Sequence, residues 1–304
     1  MKRVVVKSPG TCGEYIQGWF EGSPCLISSP IDRYATITIE SGEFKNSNLK
    51  FKAQKMVRLI FDRYEIARSH LDRLSINMES QIPEKKGMAS STADLSGVAA
   101  GLSAYFDLGL KAVDIGRLCT EIEPSDNLMF EELNLFNHIT GQVLKELGGS
   151  INANLMIVDF CGGIDTMSFN ESQDDYSTKD LGIFSQIINL FEEGLKEHDL
   201  KKIGRACTLS AYLNQKRLPK KHLDLLVDLM EECGGLGTVI GHSGTVIGVM
   251  YEDSGFDKDL FKNGIIERLP EEDYICIYEN RLIAGGIKVD CFEDRHIGLD
   301  QQSS

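Results

Sequence analysis

The segment Pro83-Glu84-Lys85-Lys86-Gly87-Met88-Ala89-Ser90-Ser91-Thr92-Ala93 gathers residue types that suit an anion. Gly87 and the small residues Ala89, Ser90 and Ser91 let backbone approach a ligand closely. Directly after them, Leu95 to Phe106 is rich in small residues and almost uncharged, so it reads as a buried helix. A helix N-terminus offers unpaired N–H groups and a partial positive charge, which together suit phosphate. The two serine hydroxyls can serve as an N-cap, as phosphate donors or as Mg²⁺ ligands. An ordinary Ser-capped helix with a glycine entry has the same letters. The segment is neither the Walker sequence GxxxxGK(S/T) nor GxGxxG after a strand.

Elements on both sides must position this loop. Arg3 to Lys7 and Ala35 to Glu40 read as strands, and the Gly/Pro/Ser-rich Ser8 to Pro30 between them as a functional loop. Met56, Ile60, Tyr64, Ala67, Leu71 and Leu74 recur at helical spacing, with Arg58, Arg63, Arg68 and Arg73 on the other, solvated face. Leu74 to Met78 reads as a strand. Helices are expected at Lys111 to Leu118 and at Asn134 to Leu147, the latter capped by Gly148-Gly149. Leu155 to Phe160 and Thr166 to Phe169 read as strands joined by Cys161-Gly-Gly, and Asn170 to Asp180 as a surface loop. Helices are expected at Phe184 to Lys196, Leu200 to Asn214, Lys220 to Cys233 and Asp257 to Asn263. Strands are expected at Thr245 to Tyr251, Tyr274 to Tyr278 and Gly286 to Val289, before a polar tail from Asp294. This irregular alternation predicts an α+β fold in two layers rather than a doubly wound parallel sheet. The 304 residues suggest two units, 1–150 and 151–304.

Composition excludes several classes. The net charge of -14 argues against a nucleic-acid footprint, which needs a basic face. It leaves room for a small anion held by backbone amides and a metal. Gly234 to Tyr251 lacks Asp, Glu, Lys and Arg, but its six glycines predict strand, turn and strand rather than a membrane span. The opening MKRVVVKSPG has too short an apolar run for a signal peptide. The eight cysteines form no CxxC pair and read as reduced core thiols of a cytoplasmic protein.

PEKKGMASSTA resembles the PxxxGLGSSAA motif of the GHMP kinases. Two further segments resemble that family's other motifs. They are Ser8-Pro-Gly-Thr-Cys-Gly-Glu14-Tyr-Ile-Gln-Gly18 near the start and Gly235 to Gly248 near the end. The resemblance implies two lobes with the active site between them: an N-terminal ribosomal-protein-like α/β lobe and a C-terminal ferredoxin-like lobe. Within the family the chain is most similar to the L-threonine kinase branch of cobalamin biosynthesis. That likeness is carried by SPGTCGE, Glu123-Pro-Ser-Asp126, Gly162-Gly-Ile-Asp165-Thr166 and His242-Ser243-Gly244-Thr-Val-Ile-Gly248.

The resemblance implies ATP and Mg²⁺, with L-threonine as phosphoryl acceptor and neither nucleic acid nor membrane as partner. Homoserine- or mevalonate-like alcohols, and a catalytically silent ligand sensor on the same fold, stay open. ATP phosphates would lie on Pro83, Lys86, Gly87, Met88, Ala89, Ser90, Ser91 and Thr92. Ser91 and Glu123 would hold the metal, with Glu121 the alternative carboxylate. Asp126 would accept the proton of the substrate hydroxyl, or else cap a following helix. Glu14 would pair a substrate ammonium, with Asp165, Thr166, His242, Ser243 and Gly244 closing the pocket. Many family members have PGK in the first motif, where this chain has Pro9-Gly10-Thr11. Lys7 and Lys86 are the candidates to replace that lysine.

Overall fold

The computed structural model describes residues 2–162, 176–241 and 244–293. Among these residues ten strands form one sheet in which every pairing is antiparallel. The sheet begins with a hairpin of β1 (Lys2–Phe20) and β2 (Ser23–Ser41). Its turn is Glu21-Gly22, with φ of 46° and 80°. Two successive positive φ values match the primed turns whose twist suits a hairpin.

Ser8 to Pro30, expected as a loop, is thus extended on both arms. The register shifts beside Gly10 and on both sides of Glu14, so the strands bend while staying paired. From Ser8 to Gly18 every residue is buried, because both faces of β1 are covered. That burial removes the alternation by which a strand is recognised.

β3 (Leu74–Ser80) pairs with β2, and α2 (Ser90–Tyr105) lies across the hairpin. Contact is close because Gly97 and Gly101 face the sheet. A Cβ at Gly97 would meet Ile37 Cδ1 at 2.3 Å, and one at Gly101 would meet Ile39 Cδ1 at 2.8 Å. Ser8 Oγ and Ser96 Oγ share a hydrogen bond of 2.9 Å across the same seam. α1 (Phe51–Arg63) and α3 (Ala112–Ile122) pack beside α2.

Two predicted helices differ from what forms. The first ends at Arg63 rather than Leu74; Glu65 takes φ 51° and a 3-10 turn follows at Arg68–Arg73. The second, Asn134 to Leu147, is instead a hairpin of β4 (Asn134–Asn137) and β5 (Gln142–Glu146). Asn137 Oδ1 accepts from the backbone N–H of Ile139 and Thr140, both at 3.0 Å, and Gly141 adopts φ 73°. This side-chain turn outcompetes the helix. Gly148 and Gly149, also at positive φ, follow a strand and not a helix.

The second half supplies β6 (Asn154–Phe160), α4 (Thr178–Glu197), α5 (Leu200–Asn214) and α6 (Leu223–Glu232). It continues with β7 (Gly237–Ile240), β8 (Val246–Tyr251), α7 (Lys258–Arg268), β9 (Tyr274–Arg281) and β10 (Lys288–Glu293). The strand order is β5-β4-β2-β1-β7-β8-β6-β9, with β3 also on β2 and β10 also on β1. The far end of β1 therefore meets β7, while its beginning pairs with β10 over Lys2 to Lys7. The expected strand Thr166 to Phe169 lies outside the described residues. Five cysteines are buried, Cys12, Cys25, Cys119, Cys207 and Cys233, and none of the eight is in a disulfide. No described helix is long and apolar enough to cross a membrane.

Candidate active site

The loop before α2 takes φ 60° at Lys85, 76° at Gly87 and 55° at Ala89. Left-handed residues at alternate positions are the backbone pattern of anion-binding nests. Ala89 is the N-cap, and no side chain caps the helix. Ser90 and Ser91 are the first helical residues, so neither serine fills the N-cap role weighed from sequence. The first-turn N–H groups are left to donate to a ligand, with no acidic residue in that turn.

Three motifs meet at this loop through backbone. Met88 O accepts from Thr11 N at 3.1 Å, and Lys86 O accepts from Thr245 N at 3.1 Å. A Cβ at Gly87 would lie 2.6 Å from Gly244 Cα, one at Gly244 would lie 2.0 Å from Lys86 O, and one at Gly13 would lie 2.0 Å from Ile240 O. The glycines are therefore required by contact between motifs as well as by any ligand.

Two residues placed on the phosphate by sequence turn their side chains elsewhere. Met88 is buried in the core. Lys86 Nζ forms an ion pair with Asp159 at 2.9 Å and donates to Phe160 O and Gly162 O at 2.9 and 3.1 Å. It straps the loop to the end of β6. Pro83 is partly buried on the approach to the loop. The other lysine considered for the missing position, Lys7, is exposed on β1 opposite Lys288.

The carboxylates flank the start of α2. Glu123 is the C-cap of α3, in extended backbone before Pro124, and is 8% exposed. It accepts hydrogen bonds from Ser91 Oγ and Lys52 Nζ. Glu121, two residues earlier in the last turn of α3, pairs with Arg63 at 2.8 Å and points away from the loop. The structure thus joins Ser91 to Glu123 and separates Glu121 from both. Ser91 Oγ and the Glu123 carboxylate are hard oxygen donors side by side at a helix N-terminus. That set fits Mg²⁺, which takes few protein ligands and keeps several waters.

Asp126 lies one step further along. Its Oδ1 accepts from Ser28 Oγ and its Oδ2 from Thr92 Oγ1, both at 3.3 Å. No helix follows it, so the capping alternative is not realised. Its neighbours fix the segment: Ser125 N donates to His138 O at 2.9 Å, and Asn127 Oδ1 accepts from Ser28 N at 3.0 Å. Consecutive residues of α2, Ser91 and Thr92, thereby hold the two carboxylates.

Sequence reasoning passed over several charged neighbours. Lys50 Nζ pairs with Asp94 and Glu84, each at 2.8 Å. Burial pushes the Asp94 carboxyl up, while Lys50 holds the exposed Glu84 down. Asp94 follows Ser90 and Ser91 at helical spacing and was visible on that ground. Lys50 and Lys52 carry no such signal.

Glu14 is 5% exposed and sits in β1 opposite Ser28 of β2 and Ile240 of β7. Ser28 thus has Glu14 as its cross-strand partner and Asp126 as its acceptor. Gly244 is buried against the phosphate loop. Lys220, on the turn after α5, donates to Gly244 O. Burial lowers its pKa to about 8, while the Glu14 carboxylate acts to raise it. Asp165, Thr166, His242 and Ser243 lie outside the described residues.

Residues 52–131 match the N-terminal domain model of the GHMP kinases, and residues 191–259 match the C-terminal one. The chain belongs to the GHMP kinase family, and its α+β architecture is that family's fold. It is 28% identical over 286 residues to an L-threonine kinase of Salmonella typhimurium, covering 94% of this chain and 95% of the relative. It is 29% identical over 293 residues to an L-threonine kinase of Citrobacter freundii, covering 94% and 99%. A homoserine kinase structure from Cytophaga hutchinsonii superposes with a TM-score of 0.68 at 14% identity, covering 95% and 97%.

Proposed function

We propose that this kinase transfers the terminal phosphoryl group of ATP to the hydroxyl of L-threonine, yielding O-phospho-L-threonine. The observation that carries the reaction type is the start of α2. Uncapped amides stand there beside Ser91–Glu123 and Thr92–Asp126, so an anion site, a metal seat and a base lie within one helical turn. Support for threonine comes from the two relatives of that name, each aligned over 94% of this chain. In this reading the product feeds the aminopropanol phosphate arm of cobalamin biosynthesis, in the cytoplasm.

Phosphoryl transfer is mostly positioning and charge neutralisation. The amides of Gly87 to Thr92 hold the phosphates. Ser91 and Glu123 hold Mg²⁺, which when bound neutralises charge on the phosphate oxygens. Asp126 takes the hydroxyl proton at a carboxylate oxygen, and Ser28 and Thr92 keep that carboxylate oriented. Glu14 pairs the substrate ammonium.

The test is ATP turnover with threonine, serine, homoserine and mevalonate. Threonine should give the highest kcat/KM. A lead of about tenfold for homoserine or mevalonate, which is ~1.4 kcal/mol of transition-state preference, would overturn the substrate assignment. Binding of ATP and threonine without turnover would favour a sensor.

A further inference from the structure

Lys220 is a lysine that no sequence motif singled out, yet the fold holds it firmly. Gln215 clasps its backbone from both sides, with Oε1 accepting from Lys220 N and Nε2 donating to Lys220 O. Helix α5 is itself stitched to β1. Ser210 Oγ accepts from Gln17 N at 3.0 Å, and Asn214 Nδ2 donates to Gln17 O at 3.1 Å. The Lys220 side chain runs inward from this anchor, leaving the residue 8% exposed, to reach Gly244 O.

An ammonium group has three donors and no acceptor. One donor goes to Gly244 O, and among the described residues no carboxylate closes an ion pair with Lys220. A buried cation in that state costs stability until an anion meets it. Other lysines around the loop are already paired: Lys86 with Asp159, Lys50 with Asp94 and Glu84, Lys52 with Glu123.

The carboxylate that acts on Lys220 is Glu14, buried on β1 and paired across the strands with Ile240, four residues before Gly244. The region where β1, β7 and Gly244 meet therefore carries one buried carboxylate and one buried ammonium, with no ion pair between the two. That pattern is the complement of a zwitterion. An α-amino acid would place its ammonium on Glu14 and its carboxylate on Lys220, with its side-chain hydroxyl left for Asp126.

We propose that Lys220 binds the carboxylate of the amino-acid substrate and selects α-amino acids over amino alcohols that lack this group. The proposal rests on the amino-acid reading of the substrate. It also gives a role to a lysine of the second half in a chain whose first motif has none.

The experiment compares kcat/KM for three pairs: threonine with 1-amino-2-propanol, homoserine with 3-amino-1-propanol, and serine with ethanolamine. Each is measured in the wild type, Lys220→Met and Lys220→Arg. The wild type should prefer the carboxylate-bearing member. Lys220→Met should lose roughly 30-fold or more on that member, chiefly in KM, while the amino alcohol changes little. Lys220→Arg should recover much of the preference. The ratio of the two kcat/KM values within one preparation cancels any loss of folded protein. Equal losses on both members would place Lys220 on the phosphoryl group or in the fold and overturn the proposal. So would a Met variant that fails to fold. A homoserine preference with the loss still confined to carboxylate-bearing substrates would sink the threonine reading and keep Lys220. No turnover of any carboxylate-bearing alcohol by the wild type would sink both.

Discussion

Replacing Asp126 with asparagine separates proton transfer from positioning. The shape is unchanged: one hydroxyl can still donate to the amide oxygen, and the other can rotate to accept from the amide N–H. Both contacts are 3.3 Å long. That exceeds the common O–H···O distance of about 2.8 Å, so each is a weak restraint. Losing one should cost less than ~1.5 kcal/mol, or about tenfold at most. The lost base should cost far more, roughly 10²–10⁴ in kcat. The assay is coupled ADP release with ATP and threonine varied in turn. Asp126→Asn should lower kcat by that factor and leave both KM values within about threefold, since ground-state contacts survive. Ser28→Ala should lose less than about tenfold. A loss below tenfold for Asp126→Asn would mean that proton transfer proceeds without this carboxylate. A Ser28→Ala defect as deep as that of Asp126→Asn would show that orientation, and not basicity, limits the rate.

Two further outcomes follow from the geometry. Glu123→Gln should raise the Mg²⁺ concentration for half-maximal velocity by about tenfold or more, whereas Glu121→Gln should only remove a surface ion pair worth at most ~1 kcal/mol. Equal effects of the two on the Mg²⁺ titration would refute the metal seat. Lys220 should also mark the stability of the ligand-free protein. Its pKa falls from 10.5 to about 8 on folding, so below about pH 8 both states are protonated and the burial cost is fully present. As pH rises toward 10.5 the unfolded chain binds more protons than the folded one, and the Lys220 contribution to stability rises. The shift amounts to ~3 kcal/mol. Urea unfolding should find Lys220→Met more stable than the wild type by up to that amount at pH 7, with the gap closing by pH 10.5. A gap that does not change with pH would contradict the buried charge.

Local chemistry made the phosphate loop readable. Gly87, the small residues after it and the uncharged helix are contiguous, and a helix N-terminus presents amides whatever surrounds it. The strand–turn–strand around Gly241 was readable for the same reason. Where both faces of an element are covered, pattern fails. Ser8 to Gly18 lost its alternation to burial and read as a loop. Asn134 to Leu147 read as a helix because the bond from Asn137 to the turn amides is not a periodic feature.

The residues themselves determined what chemistry was available: a small-residue anion loop, candidate carboxylates and too little positive charge for nucleic acid. Tertiary structure decided which carboxylate meets the loop. Glu121 and Glu123 are two residues apart, yet α3 ends between them, and extended backbone before Pro124 turns one outward and the other in. It also decided which lysines are spoken for. Lys86 adjoins the phosphate loop in sequence but is bound to β6, while Lys220, more than a hundred residues away, reaches Gly244 beside that loop because α5 is stitched to β1. Chain order cannot encode that proximity, since it comes from side chains of distant elements sharing one buried seam.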